Sequence, residues 1–254
     1  MLELYHWEPV SNSGEVLILL KEKGIDFISH YVDLYAFGQH HPTFLKVSPQ
    51  AQVPVVVHDG RVITETGFIL QYIEAEFPTP HFLPKDPKDR YWVNVWIKYV
   101  EEYIAPAVSR LGMHKTAAEW RARATTQARA GLERAPLERQ QAWAKALDTG
   151  YDADDLELAR GLLPVRLERM EETLRASDWL AGEHYSLADI AVFPTAMALP
   201  LLTPDLVNAT ATPGVMAWLE RVRSRPPVQA ALAMARTPDL EQVFAPGPEG
   251  SRWG

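Results

Sequence analysis

Four short stretches carry side chains suited to binding or chemistry. The first is Ser11-Asn12-Ser13, a polar run just ahead of an apolar helix. Backbone N–H groups at a helix N-terminus, together with the helix dipole, favour an anion. A hydroxyl placed there donates to a thiolate or an oxyanion. The same residues also suit a helix N-cap, and a run of three has room for both roles. The second stretch is Val53-Pro54, where a proline opens a strand. Proline in a sheet is confined to edges and strand starts. A cis bond here would present the Val53 backbone N–H and C=O to an extended peptide ligand. The ordinary X-Pro bond is trans, and trans is the expectation from these residues alone. The third is Glu65-Thr66 at the start of another helix. Helix N–H groups and the Thr66 hydroxyl suit a carboxylate, while Glu65 suits an ammonium. An α-amino acid carries both groups, although a plain helix cap uses the same residues. The fourth is Gln39-His40-His41. Paired histidines suggest a metal, but no cysteine or carboxylate stands at ligand spacing. Polar ligand contact or plain surface is the better reading, and no metal is expected.

These stretches need elements to hold them. Leu2 to Trp7 alternates as a strand does. Val16, Leu17, Leu19 and Leu20 follow on a helix that stops at Lys21-Glu22-Lys23-Gly24. Phe27 to Val32 is strand-like again, which implies a right-handed crossover and a parallel pair. One helical turn is expected around Thr43–Val47. Asp59-Gly60 between two apolar runs predicts a tight hairpin. A helix then carries Phe68, Ile69, Tyr72, Ile73 and Phe77, and Pro78 ends it. The order β-α-β, loop, β-β, α implies a small four-stranded mixed sheet.

Pro78, Pro80, Pro84 and Pro87 mark a linker. The expected organisation is a sheet domain over 1–77, a linker over 78–87 and an all-helical domain over 88–254. Trp92, Val95, Trp96, Tyr99, Val100, Tyr103 and Ile104 recur at helical spacing, and Trp92, Trp96 and Tyr99 read as core. Residues 115–160 read as an exposed helical insertion broken at Pro136 and Gly150, and Leu162 to Leu174 as a helix. Ser186-Leu187-Ala188-Asp189 has the pattern of a capping box. Pro213 and Pro226-Pro227 open two further helices. The tail from Ala245 to Gly254 is expected to fray.

Composition narrows the function. The chain has 254 residues, and 25 basic against 33 acidic side chains give 25 − 33 = −8. That balance argues against a nucleic-acid partner and gives no reason to expect an anionic membrane surface. Cysteine is absent, which removes disulfides, thiolate metal sites and any protein-thiol nucleophile. Met1 to His6 has neither the basic nor the apolar region of a signal peptide. The longest apolar-rich run, Ile190 to Leu202, contains Pro194 and Pro200 and falls short of the ~20 residues a membrane span needs. A soluble, cytoplasmic protein is expected.

Taken together, the layout resembles the glutathione transferase superfamily over essentially the whole chain. Ser48-Pro49-Gln50-Ala51-Gln52-Val53-Pro54 is similar to the family's Asn-Pro-x-Gly-x-Val-Pro. Thr64-Glu65-Thr66-Gly67 is similar to its Glu-Ser pair, and Tyr185 to Ile190 to its N-capping box. Ser48, Ala51 and Thr66 stand where Asn, Gly and Ser are usual. The resemblance implies an α+β protein, a thioredoxin-like mixed-sheet domain followed by an all-α domain. Within the superfamily the details resemble bacterial β-etherases, which cleave the β-aryl ether bond of lignin-derived aromatics with glutathione. That likeness rests on Ala36-Phe37-Gly38-Gln39-His40, Gln52-Val53-Pro54-Val55, Leu137-Glu138-Arg139-Gln140-Gln141-Ala142-Trp143 and the run from Leu167 to Leu174.

The resemblance implies roles residue by residue. Ser13, with Asn12 and Ser11, would face the glutathione sulfur. The Val53 backbone, before Pro54, would pair with the cysteinyl unit. Glu65 and Thr66 would hold the γ-glutamyl end. Gln39, His40 and Gln52 would reach the glycyl end, and His41 has no role. An aromatic ether would bind between the domains, lined by Trp7 and Met113, with His114 either at its ketone or at the surface. General aryl transfer and a weakly catalytic glutathione-binding subunit are the alternatives. A homodimer, or a heterodimer with a related chain, is implied.

Overall fold

The computed structural model describes residues 1–123, 130, 132–135 and 137–237. Pro136 and the tail from Ala245 to Gly254, read above as a break and a frayed end, lie outside the described residues.

Strand β1 (Leu2–His6) pairs in parallel with β2 (Ile28–Tyr31) and antiparallel with β3 (Val55–His58). Strand β4 (Arg61–Ile63) completes the order β2-β1-β3-β4. Asp59 at φ 47° and Gly60 at φ 80° are both left-handed, which is the backbone of a two-residue hairpin loop between His58 and Arg61. Helix α1 (Asn12–Glu22) makes the crossover from β1 to β2, and Gly24 at φ 63° lets the chain turn away. Ser13 to Leu20 of α1 are all buried, including both flanks of its apolar stripe. The sheet covers one side of the helix and the helical domain covers the other. Short helix α2 (Pro42–Leu45) and helix α3 (Thr66–Glu76) finish the sheet unit.

Pro87 stands in the first turn of α4 (Pro87–Tyr99), with Asp86 as N-cap. A π-helical stretch, Val100–Ile104, joins α4 to α5 (Ala105–Arg123). Then come α6 (Leu137–Ala144), α7 (Ala153–Gly161), α8 (Leu163–Ala176) and α9 (Leu187–Ala196). The last are α10 (Leu199–Leu202), α11 (Pro213–Arg223) and α12 (Pro226–Leu232). Every residue of α9 is buried. Ser186 caps it, and Asp189 returns a hydrogen bond to the Ser186 N–H at 3.0 Å. The same buried carboxylate accepts from the Leu180 N–H at 3.0 Å and the Trp218 indole at 2.9 Å.

One apolar core runs through both parts, from Leu4 and Leu17 to Val93, Ile190 and Trp218. Two ion pairs reinforce the junctions. Lys23 meets Glu74 at 2.7 Å with both side chains buried, and Arg225 grips Glu22 with two hydrogen bonds of 2.6 and 2.8 Å.

Four expectations need correction. Val53-Pro54 is cis, not trans. Trp92 is exposed while Trp96, one turn on, is buried, so the aromatic stripe of α4 is core on one side only. Phe68 is likewise exposed, and Leu70 takes the buried place on α3. The insertion is not simply exposed. Trp120 and Trp143 are fully buried in a second core with Trp7, Tyr35, Phe37 and Val55. A few large rings on otherwise polar helices were enough to dock it.

Candidate active site

Sheet register brings the four polar stretches to one end of the sheet. β1 ends at His6, and Trp7 to Ser13 follow it. Tyr5 lies opposite Val55, so Val53-Pro54 enters β3 at that same end. Val56 lies opposite Ile63, so Glu65-Thr66 leaves β4 there too. His6 is level with Tyr31 on the parallel strand, so the segment leading to Gln39 and His40 also starts there. Stretches up to some fifty residues apart in sequence thereby become neighbours.

In the first loop the three polar residues divide the work. Ser11 is the cap: its hydroxyl accepts the Ser13 N–H at 3.1 Å and donates to the Glu8 carbonyl at 2.6 Å. Ser13 Oγ accepts the Trp7 N–H at 3.0 Å, which leaves its own proton for an acceptor. Asn12, half-buried in the first helical turn, makes no side-chain hydrogen bond among the described residues. The Trp7 carbonyl is held from behind, because His6 Nδ1 donates to it at 2.7 Å while His6 Nε2 accepts from Ser29. Burial pushes the His6 pKa down, which keeps the ring neutral for that arrangement. Gly14 is required here: a Cβ would stand 1.8 Å from the Pro9 carbonyl oxygen.

Sequence reasoning missed Glu8. Its side chain is fully buried and accepts from the Tyr31 hydroxyl at 2.5 Å, the Arg236 N–H at 3.0 Å and the Thr237 hydroxyl at 2.8 Å. The segment after α12 is thus tied to the loop that carries Ser11–Ser13. A lone acidic residue beside Pro9 gave no signal of this.

In the second stretch, Ser48 Oγ accepts the Gln52 N–H at 3.2 Å and donates to the Gln52 carbonyl at 3.1 Å. Ala51 adopts φ 55°, a left-handed conformation that glycine takes without penalty. The side chain of Ser48 thereby supplies the tether where the family motif has Asn. The Val53 backbone makes no hydrogen bond among the described residues. In the third stretch Glu65 has φ 65° and ψ 113°, and Thr66 is buried in the first turn of α3. A non-glycine residue held there costs about 1–3 kcal/mol, and such strain clusters at active sites and ligand clamps. In the fourth, Gln39 and His40 are buried, and Gln39 Oε1 and His40 Nε2 have no hydrogen-bond partner among the described residues. Burial, and then the Arg139 guanidinium, push the His40 pKa down to about 4. Arg139 also donates to the Gln50 carbonyl and so fastens α6 over this loop. His41 serves as the N-cap of α2.

Of the aromatic-site candidates, Trp7 and Met113 share the second core. His114 is exposed, one residue and about 100° around the helix from Met113. Among the described residues there is no group of three His, Cys, Asp or Glu able to hold a metal, and no helix long and apolar enough to cross a membrane.

A thioredoxin-like sheet with a cis-proline loop, joined to an all-helical domain through one core, defines the class. The family descriptions "Glutathione S-transferase, N-terminal domain" and "Glutathione S-transferase, C-terminal domain" match residues 1–75 and 129–226. The chain belongs to the glutathione transferase family. It is 35% identical to Protein LigF of Sphingobium sp. (strain NBRC 103272 / SYK-6), over 94% of this chain and 96% of that one. The crystal structure of the β-etherase LigF from strain SYK-6 superposes with a TM-score of 0.86 at 34% identity, covering 92% of this chain and 99% of that one. The disulfide-bond oxidoreductase YfcG of Escherichia coli (strain K12) is 29% identical over 94% of this chain and 98% of its own length. A Pseudomonas fluorescens Pf-5 family member with two glutathione bound shares the fold, with a TM-score of 0.70 at 24% identity, over 91% of this chain and 92% of that one.

Proposed function

We propose that this protein is a glutathione-dependent β-etherase acting on lignin-derived aromatic ketones. The observation that carries the reading is full-length likeness to LigF, a β-etherase, together with four polar stretches gathered at one sheet end. The residues fit glutathione. Gln39 Oε1 and His40 Nε2 are buried without hydrogen-bond partners among the described residues, which suits contact with a peptide. Gln52 lies beside them on the tethered loop. The Val53 backbone N–H and C=O make no hydrogen bond among the described residues and suit pairing with a cysteinyl unit. Glu65 takes the α-ammonium, and Thr66 with the α3 N-terminus takes the α-carboxylate.

When bound, glutathione supplies sulfur to the carbon beside the ketone: a C–S bond forms, the bond from that carbon to the aryloxy oxygen breaks, and the thiol proton ends on the released phenol through water. Ser13 donates its free proton at the sulfur position, Asn12 adds an amide donor, and the α1 N-terminus adds partial positive charge. Each favours the ionised thiol. Ser11 holds the turn rather than the sulfur. Trp7 and Met113 lie on the aromatic side, and His114 is placed at its rim.

We place the protein in the cytoplasm as a homodimer, or a heterodimer with a related chain. Exposed Tyr91 and Trp92, in edge-to-face contact on α4, are apolar surface that such a partner would cover.

The test is turnover of a β-aryl ether ketone, with and without glutathione, read as released phenol. Glutathione-dependent release is expected from the wild-type protein. Ser13→Ala should lower kcat about tenfold or more and raise the thiol pKa of bound glutathione, as followed by thiolate absorbance. Asn12→Ala should do the same to a smaller extent. Glutathione binding without phenol release would sink the β-etherase reading and leave general aryl transfer or a binding subunit.

A further inference from the structure

Glu8 lies where the chain passes from one core to the other: Trp7 is packed in the second and Val10 in the first. Its side chain is fully buried, and an acidic group is almost never placed so unless it is paired. Hydrogen bonds hold it. Glu8 Oε1 accepts the Tyr31 hydroxyl at 2.5 Å and the Thr237 hydroxyl at 2.8 Å, and Glu8 Oε2 accepts the Arg236 N–H at 3.0 Å. The Arg236 guanidinium lies over the Tyr31 ring, 4.2 Å from its centroid, and His6 meets the same ring edge-on at 5.9 Å. Tyr31, Tyr35, His6 and Arg236 are the titratable groups around this side chain among the described residues. Two of the three donors come from the segment after α12, 228 and 229 residues along the chain.

The backbone on either side of that side chain holds the first loop. The Trp7 N–H donates to Ser13 Oγ at 3.0 Å, and the Glu8 carbonyl accepts the Ser11 hydroxyl at 2.6 Å. A shift of residues 7 and 8 therefore carries the Ser13 hydroxyl with it. We propose that Glu8, held by Arg236 and Thr237, is a positioning residue that acts through the Trp7–Ser13 hydrogen bond to aim the Ser13 hydroxyl at the glutathione sulfur. The proposal rests on the reading of Ser13 as the sulfur-facing donor. Without the segment after α12, the Glu8 side chain turns toward water, because an unpaired acidic group is costly to bury. A donor to a thiolate acts only when aimed, so a small displacement costs a large share of the rate. Charge and position predict opposite signs. By charge alone a carboxylate on this loop disfavours a nearby thiolate, and its removal would lower the thiol pKa of bound glutathione. If Glu8 aims Ser13, its removal raises that pKa.

The test uses the full chain with glutathione bound and follows thiolate absorbance against pH. Glu8→Gln keeps the shape and one acceptor but sets an amide N–H against the Arg236 N–H. It should raise the thiol pKa and lower the thiolate fraction on the acid side of the titration about threefold to tenfold. Affinity for S-methylglutathione, which has no thiol to ionise, should stay within about twofold by calorimetric titration. In a Ser13→Ala background Glu8→Gln should add no further rise, since the group it aims is gone. Thr237→Val, at a half-buried position, removes one donor and should give a smaller rise, and Thr237→Ser should restore the wild-type value. An unaltered or lowered thiol pKa in Glu8→Gln overturns the proposal. So does an equal rise with and without Ser13, or a loss of S-methylglutathione affinity that accounts for the whole effect. If Glu8→Gln does not fold, the two Thr237 variants decide, and equal values for them overturn the proposal. A thiol pKa unmoved by Ser13→Ala removes the Ser13 reading and this proposal with it. Phenol release reports on the β-etherase reading separately. The expected thiol shifts without phenol release leave Glu8 standing for another transfer reaction, and phenol release with an unmoved thiol pKa in Glu8→Gln overturns the Glu8 proposal alone.

Discussion

At His40 the balance of solvation and charge has a consequence for stability. The buried ring sits beside Arg139, and its pKa is down at about 4 in the folded chain. An unfolded histidine titrates near ~6.5. Between those values the unfolded chain binds more protons than the folded one. Stability therefore falls as pH drops from about 6.5 toward about 4, and this contribution is level above that window. His6 is shifted in the same direction by burial and adds to the slope. His40→Gln should flatten the dependence between pH values near ~7 and ~5, as measured by urea denaturation. An unaltered slope in that variant would remove His40 from the explanation. The three residues of the first loop differ in the same physical way. Ser11 has both hydrogen-bonding capacities filled by the turn, Ser13 has one left, and the Asn12 amide makes no hydrogen bond among the described residues.

Helix α9 is the element on which the helical domain depends. It is buried on every side, so no solvent can satisfy its first N–H groups. The Phe82 carbonyl takes the Leu187 N–H and Ser186 Oγ the Ala188 N–H, while Asp189 accepts from the Ser186 N–H, the Leu180 N–H and the Trp218 indole. Desolvation outweighs these bonds and pushes the Asp189 pKa up to about 6. Asp189→Ala leaves three buried donors without an acceptor, each costing about 1–3 kcal/mol. The sum is comparable to the whole stability of a typical domain, so loss of the cooperative transition is expected in thermal or urea melts. Asp189→Asn should fall between, since its amide oxygen still accepts. Wild-type melting of the alanine variant would show that water takes over the three donors.

Across the molecule, the insertion acts as a cover for the sheet unit. Trp120 packs edge-on and Trp143 tilted against Phe37, whose loop carries Gln39 and His40. Trp143→Ala should cost about 3–5 kcal/mol. Because Trp143 belongs to the second core and α9 to the first, hydrogen exchange should rise at Phe37–His40 while α9 keeps its protection. An even rise over the whole chain would mean that the two cores do not open separately. Glu8 provides a second long-range tie, joining Arg236 and Thr237 to the first loop.

Local pattern alone accounts for much of this protein. Asp59-Gly60 demanded a left-handed turn, Ser186 and Asp189 a capping box, and Lys21 to Gly24 a helix stop. Each depends on residues a few positions apart, where backbone sterics and capping decide the outcome. The absence of cysteine likewise excluded a protein-thiol nucleophile by composition. What depends on distant partners was decided only in three dimensions. The cis state of Val53-Pro54 is a small free-energy choice that the packed loop makes. Whether an aromatic is core or surface depends on which neighbour covers it, so Trp96 is buried and Trp92 is not. The contact of Trp7, Tyr35 and Trp120 exists only because the fold presses together three rings from distant parts of the chain and shuts them away from water; their polar atoms have no hydrogen-bond partner among the described residues. Pairing with water, which would satisfy them in the unfolded chain, is lost on burial, and no local pattern records that loss.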